Sequence, residues 1–330
     1  MTRAATAGMA ATPDDEGDAG RAGAGSAGLA HEVRADLADW SARTSCASPA
    51  DLSAVALTVA VHLPDLGRRE RALAGLITLW TIGFDALVDE GGLPAAALDA
   101  VVARCKAIVR AAPRAPRVHG ATEPVPAMQL ALALGEIGRG LAAYGSFPPL
   151  ADAWRASFAR MIDAIVRQRR LGLAEASGVA PSDPGAFMAL AADSVGVPHY
   201  LTACLILYDD PGLATRLPQL LAGAAACARV IRLANDLRTW GREEREGTTN
   251  LVVVEAAAIG RLRPELTPDR RRERALTALE RRLARQLADT RALLAAMPTA
   301  GGAPEIGMAR LVRVVTGVYA RRDYRRAVPD

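Results

Sequence analysis

Two segments of this chain carry oxygen-donor side chains at helical spacing. Asp85 and Asp89 lie four residues apart near the end of a strongly apolar run. Asn235, Thr239 and Glu243 repeat that interval in a later run. Residues four apart in an α-helix share a face at about 6 Å, so each set predicts one polar stripe. Carboxylate, amide and hydroxyl oxygens are hard ligands suited to Mg²⁺, and the stripe of three therefore predicts a magnesium site.

The first stripe lies where acids are electrostatically unfavourable. Asp85 and Asp89 precede Gly91-Gly92, so they fall at the C-terminal end of the predicted helix. The helix dipole is negative at that end, and two stacked carboxylates there favour a compensating cation. Taken alone, each stripe could instead be the solvated side of an amphipathic helix.

Helical periodicity must position both stripes. Apolar residues recur at three- and four-residue spacing from about Leu29 almost to the end, which predicts an all-α, single-domain antiparallel helical bundle over residues 29–330. Residues 1–28 are rich in Ala, Gly and Ser and are expected to form a disordered tail. Gly and Pro breaks delimit about eleven helices, predicted at 29–43, 50–62, 68–90, 95–111, 126–144, 149–176, 185–208, 217–246, 250–260, 268–296 and 304–323.

Composition excludes several classes of protein. The 330 residues are 51% hydrophobic with a net charge of +4, enough apolar content for a large core. The basic residues are almost all Arg interspersed with acids, and aromatics are only 4%, so a nucleic-acid surface is not expected. The sequence contains no uninterrupted apolar stretch of about 18 residues, so a membrane span is not expected. Four scattered cysteines and no apolar leader favour a cytoplasmic protein.

Together the two stripes resemble class I terpene synthases. In that family an Asp-rich motif and an Asn/Ser-or-Thr/Glu triad lie on facing helices, and they hold three Mg²⁺ ions that bind a prenyl diphosphate. Asn235, Thr239 and Glu243 match the triad fully, with the basic Arg242 before the glutamate. The Asp motif is less complete, because Ala86 stands where many relatives carry a second Asp. The resemblance covers roughly residues 30–325.

A second acidic motif is rejected. Asp14-Asp15-Glu16-Gly17-Asp18 matches the family's Asp-rich pattern better than Asp85 and Asp89 do. It lies in the Gly/Ala tail, where no apolar helix would orient it towards a pocket. We therefore expect it to have no part in the site.

The segment 187–198 resembles the broken helix that faces the cavity in this family. Pro198 removes a backbone donor and should break the helix near residues 195–197. Many relatives carry a diphosphate-sensing Arg where this chain has Ala191. The pattern Ser194-x-Gly196-x-Pro198 looks more like that of bacterial cyclases acting on bicyclic diterpenyl diphosphates.

Other substrate contacts are expected from the resemblance and from the few aromatics. Arg322 and Tyr324 are similar to the family's closing Arg-Tyr pair, which would donate to diphosphate oxygens. Aromatic rings can stabilise carbocations, so pocket-lining roles are expected for Trp80, Phe84, Phe187 and Tyr200. The Arg-rich stretch 167–170 is expected on the surface.

The function that the resemblance implies is that of a class I diterpene synthase. The enzyme would ionise a C20 prenyl diphosphate, with a copalyl-type bicyclic substrate favoured over linear geranylgeranyl diphosphate, and then cyclise the cation. A sesquiterpene synthase is an alternative. A prenyltransferase would need a second Asp-rich motif, and the triad does not supply one. A non-catalytic helical interaction protein would leave the two stripes unrelated. The expected partners are the prenyl diphosphate and, in a possible homodimer, a second copy of the chain.

Overall fold

The protein is all-α, as its periodicity predicts. The computed structural model describes residues 13–44, 48–90, 92–114, 125–176, 183–297 and 302–321, and none of these forms a strand. A short 3₁₀ turn at Pro211–Arg216 accompanies twelve helices: α1 Pro13–Thr44, α2 Pro49–His62, α3 Arg68–Glu90, α4 Ala95–Ala111, α5 Val125–Leu141, α6 Phe147–Ala176, α7 Pro184–Ser194, α8 Val197–Leu207, α9 Leu217–Glu246, α10 Leu251–Leu262, α11 Pro268–Ala295 and α12 Ala303–Arg321.

The first helix begins earlier than the composition predicts. It extends back to Pro13, so residues 13–28, expected in a disordered tail, are helical in the structure. Their alanine content favours helix. Residues 1–12 lie outside the described part of the chain, as do the side chains of the rejected acidic motif.

A break divides the predicted helix 185–208 into α7 and α8. Gly196 has a φ of +76°, a left-handed conformation that favours glycine. A Cβ atom at this position would lie 2.8 Å from Cγ2 of Thr81 on α3, so steric contact also requires glycine. Pro198 follows in the first turn of α8, where a missing N–H is tolerated. The predicted break is confirmed, and it lies against the helix that carries Asp85.

The end of α9 and the start of α10 determine where the helix that carries Asn235, Thr239 and Glu243 stops. Gly247, with a φ of +68°, ends α9 in a left-handed conformation. Asn250 then begins α10 as its N-cap, and its side-chain oxygen accepts a hydrogen bond from the backbone N–H of Val252 at 2.8 Å. Glu243 therefore lies in the last turn of α9, close to the start of the next helix.

Two apolar clusters hold the bundle together. The larger includes a fully buried aromatic group on α3 and α6, namely Trp80, Phe84, Trp154 and Phe158. The smaller joins α7, α9, α10 and α11 around Phe187, Leu251 and Leu279. Burial of large aromatic and aliphatic side chains is the main stabilising contribution in such a fold.

Much of the hydrophobicity of the long helices contributes to this core. The segments Arg68–Asp89, Pro184–Leu207 and Pro211–Glu246 are long and apolar enough, by length and composition alone, to cross a membrane. In the structure more than half of the apolar 18-residue stretch in each segment is buried inside the bundle. Their apolar side chains therefore pack against other helices of the same chain.

The core also contains a neutral histidine. His199 is fully buried beside Phe158 and Trp154, with ring centroids 5.3 and 6.0 Å away. Burial lowers the pKa of His199 to about 3. The unfolded chain protonates this residue near pH 6.5, so acid favours the unfolded state.

We expect the free energy of unfolding to fall as the pH drops below 6.5, with His199 contributing up to about 1.4 kcal/mol per pH unit. His199→Gln should make this pH dependence shallower, measured by urea unfolding between pH 7.5 and 4.5. His31→Gln, which removes an exposed histidine, is the matched control. Equal slopes for His199→Gln and the wild type would contradict a buried neutral imidazole.

Candidate active site

A cavity of about 600 Å³ lies between the helices that carry the two stripes. This volume is typical of small-molecule pockets. Residues from both stripes and from the α7–α8 break line it together, as the resemblance implies: Asp85, Asp89, Ser194, Gly196, Tyr200, Asn235, Arg242 and Glu243. Apolar side chains such as Ile82, Ile165 and Val315 complete the lining.

One face of α3 contributes the first stripe. Thr78, Thr81, Ile82, Asp85 and Asp89 all line the cavity, at the three- and four-residue spacing of one helical face. Both aspartates are half-buried. Their carboxylates therefore lie at the boundary between the cavity and solvent, where they can bind a cation.

Asn235 is oriented by the C-terminal helix. Its Nδ2 donates a hydrogen bond to Oη of Tyr319 on α12 at 2.9 Å. That contact uses the amide nitrogen, and it leaves Oδ1, the atom that a hard cation would bind, on the other side of the amide. Tyr319 also lines the cavity.

Thr239 is more buried than the other two members of its stripe. It is 1% exposed and is not among the cavity-lining residues. Its Oγ1 donates to the backbone carbonyl of Asn235 at 2.9 Å, a common conformation of threonine inside helices. A hydroxyl that donates one hydrogen bond keeps its lone pairs, so the oxygen can still accept.

Glu243 is held by a residue that sequence reasoning missed. Oε2 of Glu243 accepts a hydrogen bond from Nδ2 of Asn250 at 2.6 Å. Asn250 is fully buried and caps α10 with its amide oxygen. The same side chain therefore begins α10 and fixes the carboxylate. Its position in the run after the triad could have marked Asn250 as a cap, but not as a partner of Glu243.

A buried ion pair lies behind the stripe on α9. Arg232 lines the cavity, and its NH2 lies 2.7 Å from Oδ1 of Asp236. Burial raises the pKa of Asp236 to about 7, and Arg232 opposes that shift. The guanidinium Nε and Asp236 Oδ2 are buried without a hydrogen-bond partner among the described residues. Arg232 was also missed, although it precedes Asn235 by three residues and so shares its face.

The residues of the α7–α8 break approach the cavity from a third side. Ser194 Oγ donates to Oε1 of Gln168 on α6 at 2.6 Å. Tyr200 is mostly buried, and its hydroxyl is 2.8 Å from Nδ1 of His62. Ala191 is fully buried in the smaller apolar cluster, away from the cavity lining.

Three aromatics expected in the pocket lie elsewhere. Trp80 donates its indole N–H to the carbonyl of Leu130 at 2.8 Å and stacks on Phe84. Both belong to the larger core cluster, and Phe187 belongs to the smaller one. The reason is angular: each helical residue advances by about 100°, so Phe84 lies roughly a quarter turn from Asp85 and faces the core.

The basic residues are arranged differently from the sequence expectation. Gln168 and Arg169, expected on the surface, line the cavity from α6. Arg242 lines it as well, and its NH1 lies 2.7 Å from Oε2 of Glu246. Arg322 and Tyr324 lie outside the described residues.

The chemistry of the lining is that of a site for a metal and an anion. Acids from α3 and α9 provide hard oxygen donors, and arginines from α6 and α9 provide positive charge. No three His, Cys, Asp or Glu side chains of the described ranges form one cluster, so the donors are divided between two helices. Such a divided set suits cations that bridge protein oxygens and a bound anion.

Comparison with known proteins identifies the family. The model of terpene synthase family 2, C-terminal metal binding, matches residues 76–258, more than half of the chain. Over 300 residues the chain is 27% identical to ent-pimara-9(11),15-diene synthase from Streptomyces sp. (strain KO-3988), covering 90% of this chain and 92% of that protein.

Solved structures show the same fold. The 2-methylisoborneol synthase of Streptomyces coelicolor A3(2), in complex with Mg²⁺ and 2-fluoroneryl diphosphate, matches with a TM-score of 0.62 at 17% identity, over 92% of this chain and 94% of that one. The linalool/nerolidol synthase of Streptomyces clavuligerus, in complex with 2-fluorogeranyl diphosphate, matches with a TM-score of 0.63 at 15% identity, over 89% and 95%. The chain therefore belongs to terpene synthase family 2, and it is a class I terpene synthase, a lyase acting on prenyl diphosphates.

Proposed function

We propose that this enzyme is a diterpene synthase that ionises a C20 prenyl diphosphate and cyclises the resulting cation. The observation that carries the proposal is the convergence of Asp85, Asp89, Asn235 and Glu243 on one cavity, whose wall also includes aliphatic side chains. The 27% identical relative is named as a pimaradiene synthase, whose product is a diterpene, and this supports a C20 substrate over C15. A copalyl-type bicyclic diphosphate is favoured over the linear one. Cytoplasmic location and a homodimer stay predictions.

The donor set fits Mg²⁺. The carboxylates of α3 are half-buried at the cavity, the Asn235 amide oxygen is kept available by Tyr319, and Glu243 is held at the end of α9. We assign the metal ligands, for three Mg²⁺, to Asp85, Asp89, Asn235, Thr239 and Glu243. Bound Mg²⁺ supplies Lewis-acid stabilisation of the diphosphate leaving group.

The residues of the protein have three tasks in this reaction. Arg232 and Arg242 add positive charge where the C–O bond breaks and the diphosphate leaves with the electron pair. The apolar wall, which includes Ile82 and Val315, excludes water from the carbocation and determines how it folds. The ring of Tyr200 lies in the same lining and can stabilise positive charge through its quadrupole.

Asp85→Asn should lower kcat/KM by about 100-fold or more while leaving helicity and melting temperature nearly unchanged, because it removes a ligand charge at a half-buried rim position. Mg²⁺-dependent diphosphate release and circular dichroism would measure both quantities. Asp152→Asn removes an exposed carboxylate and should change neither. A variant at position 85 with wild-type activity would exclude its role as a metal ligand.

Asn250→Ser tests the support of Glu243. Serine keeps a capping oxygen for α10 but loses the amide donor to the Glu243 carboxylate and to the backbone carbonyl of Asp236. We expect the Mg²⁺ concentration for half-maximal activity to rise several-fold and the melting temperature to fall, because a buried carbonyl loses its donor. Thr267→Ala removes the N-cap of α11, which is not among the cavity-lining residues, and should lower stability by about 1 kcal/mol without changing the Mg²⁺ requirement. An unchanged Mg²⁺ requirement in Asn250→Ser, or a raised requirement in Thr267→Ala, would contradict the role of Asn250 in holding Glu243.

Competition between substrates tests the preference for a bicyclic diphosphate. Copalyl-type, geranylgeranyl and farnesyl diphosphates would be supplied at equal concentrations, with products separated by chain length and skeleton. We expect the highest kcat/KM for the bicyclic C20 substrate, because its preformed rings leave less flexible chain for the cavity to fold. A clearly higher value for the linear C20 substrate would overturn this preference, and a higher value for the C15 substrate would overturn the assignment as a diterpene synthase.

A further inference from the structure

Arg169 is a cavity-lining cation that has no ion-pair partner among the described residues. It lies on α6, half-buried, in the wall of the same cavity as Asp85 and Glu243. The structure records no ion pair or hydrogen bond between Arg169 and any residue that it describes. The other two cavity arginines differ, because Arg232 pairs with Asp236 and Arg242 pairs with Glu246, each at 2.7 Å.

Neighbouring residues place Arg169 between two functional parts of the site. Gln168, one residue earlier, accepts the hydrogen bond of Ser194 at the end of α7. Gly172, one turn later, approaches the segment after Glu243: a Cβ there would lie 3.5 Å from the carbonyl oxygen of Gly247. This part of α6 therefore spans from the α7–α8 break to the end of the triad helix, and Arg169 lies within the span.

A partly desolvated guanidinium without an anion nearby is unfavourable by itself. Its planar fork of donors matches two oxygens of a phosphate, and charge-assisted hydrogen bonds of this kind are among the strongest in proteins. An anion bound in the cavity would supply the partner that the described residues do not.

We propose that Arg169 binds an oxygen of the substrate's diphosphate group from the α6 side of the cavity. The inference rests on the proposed function. In that function the acids on α3 and α9 would bind metal, so the diphosphate would be the anion that pairs with Arg169. Arg169 is thus a substrate-binding residue that also retains the released diphosphate product.

The test compares Arg169→Gln with Arg167→Gln. Arg167 lies two residues earlier on α6, is exposed, and is not among the cavity-lining residues, so its loss removes the same charge from outside the cavity. Calorimetry would measure the binding of inorganic diphosphate in the presence of Mg²⁺, and steady-state kinetics would measure KM for the prenyl diphosphate. We expect Arg169→Gln to weaken diphosphate binding and raise KM by about tenfold or more, and Arg167→Gln to change both less than twofold.

Two further readouts distinguish binding from a structural role. Arg169→Lys keeps the charge but loses the fork, and we expect binding between that of the wild type and that of Arg169→Gln. Melting temperatures should agree among all three proteins, and if Arg169→Gln does not fold, the lysine variant decides the question. Diphosphate binding as tight in the folded variants as in the wild type would overturn the role of Arg169, as would a wild type that binds no diphosphate. Failure of the proposed function is a separate result, namely that the wild type consumes no prenyl diphosphate.

Discussion

One cavity brings partly buried charges of both signs together inside the bundle. Its lining includes the acids Asp85, Asp89, Glu243 and Glu246 and the arginines Arg169, Arg232 and Arg242. Partial burial makes each unpaired charge costly, and like charges on α3 and α9 repel each other when they approach. Each charge is therefore stabilised by a partner, either within the protein or in what the cavity binds.

The protein provides part of this pairing on α9 and its neighbours. Arg232 pairs with Asp236 behind the stripe, Arg242 pairs with Glu246, and Asn250 donates to Glu243. These contacts fix the positions of the α9 donors before any ligand binds. Preorganised groups of this kind need little rearrangement during a reaction, which is the main source of electrostatic catalysis.

The helix break has a comparable structural cause. Gly196 adopts a positive φ against Thr81, and this close approach brings the end of α7 to the helix that carries Asp85. Ser194 and Gln168 then tie the break to α6. The parts of the cavity wall on α3, on α6 and at the α7–α8 break therefore depend on the left-handed conformation of Gly196. A side chain at this position would separate α3 from the break.

Local patterns by themselves determined much of this protein. Three- and four-residue periodicity predicted the all-α fold and nearly all helix positions, Pro198 predicted the break, and four-residue spacing placed each donor stripe on one helical face. The helical angle alone could also have shown that Trp80 and Phe84 turn away from Asp85. Tertiary structure decided what each face meets: that Arg169 faces the cavity, that Thr239 is buried, and that Tyr319 and Asn250 hold Asn235 and Glu243. The physical reason is that periodicity describes one helix, whereas these contacts join residues from different helices and depend on how the whole bundle packs.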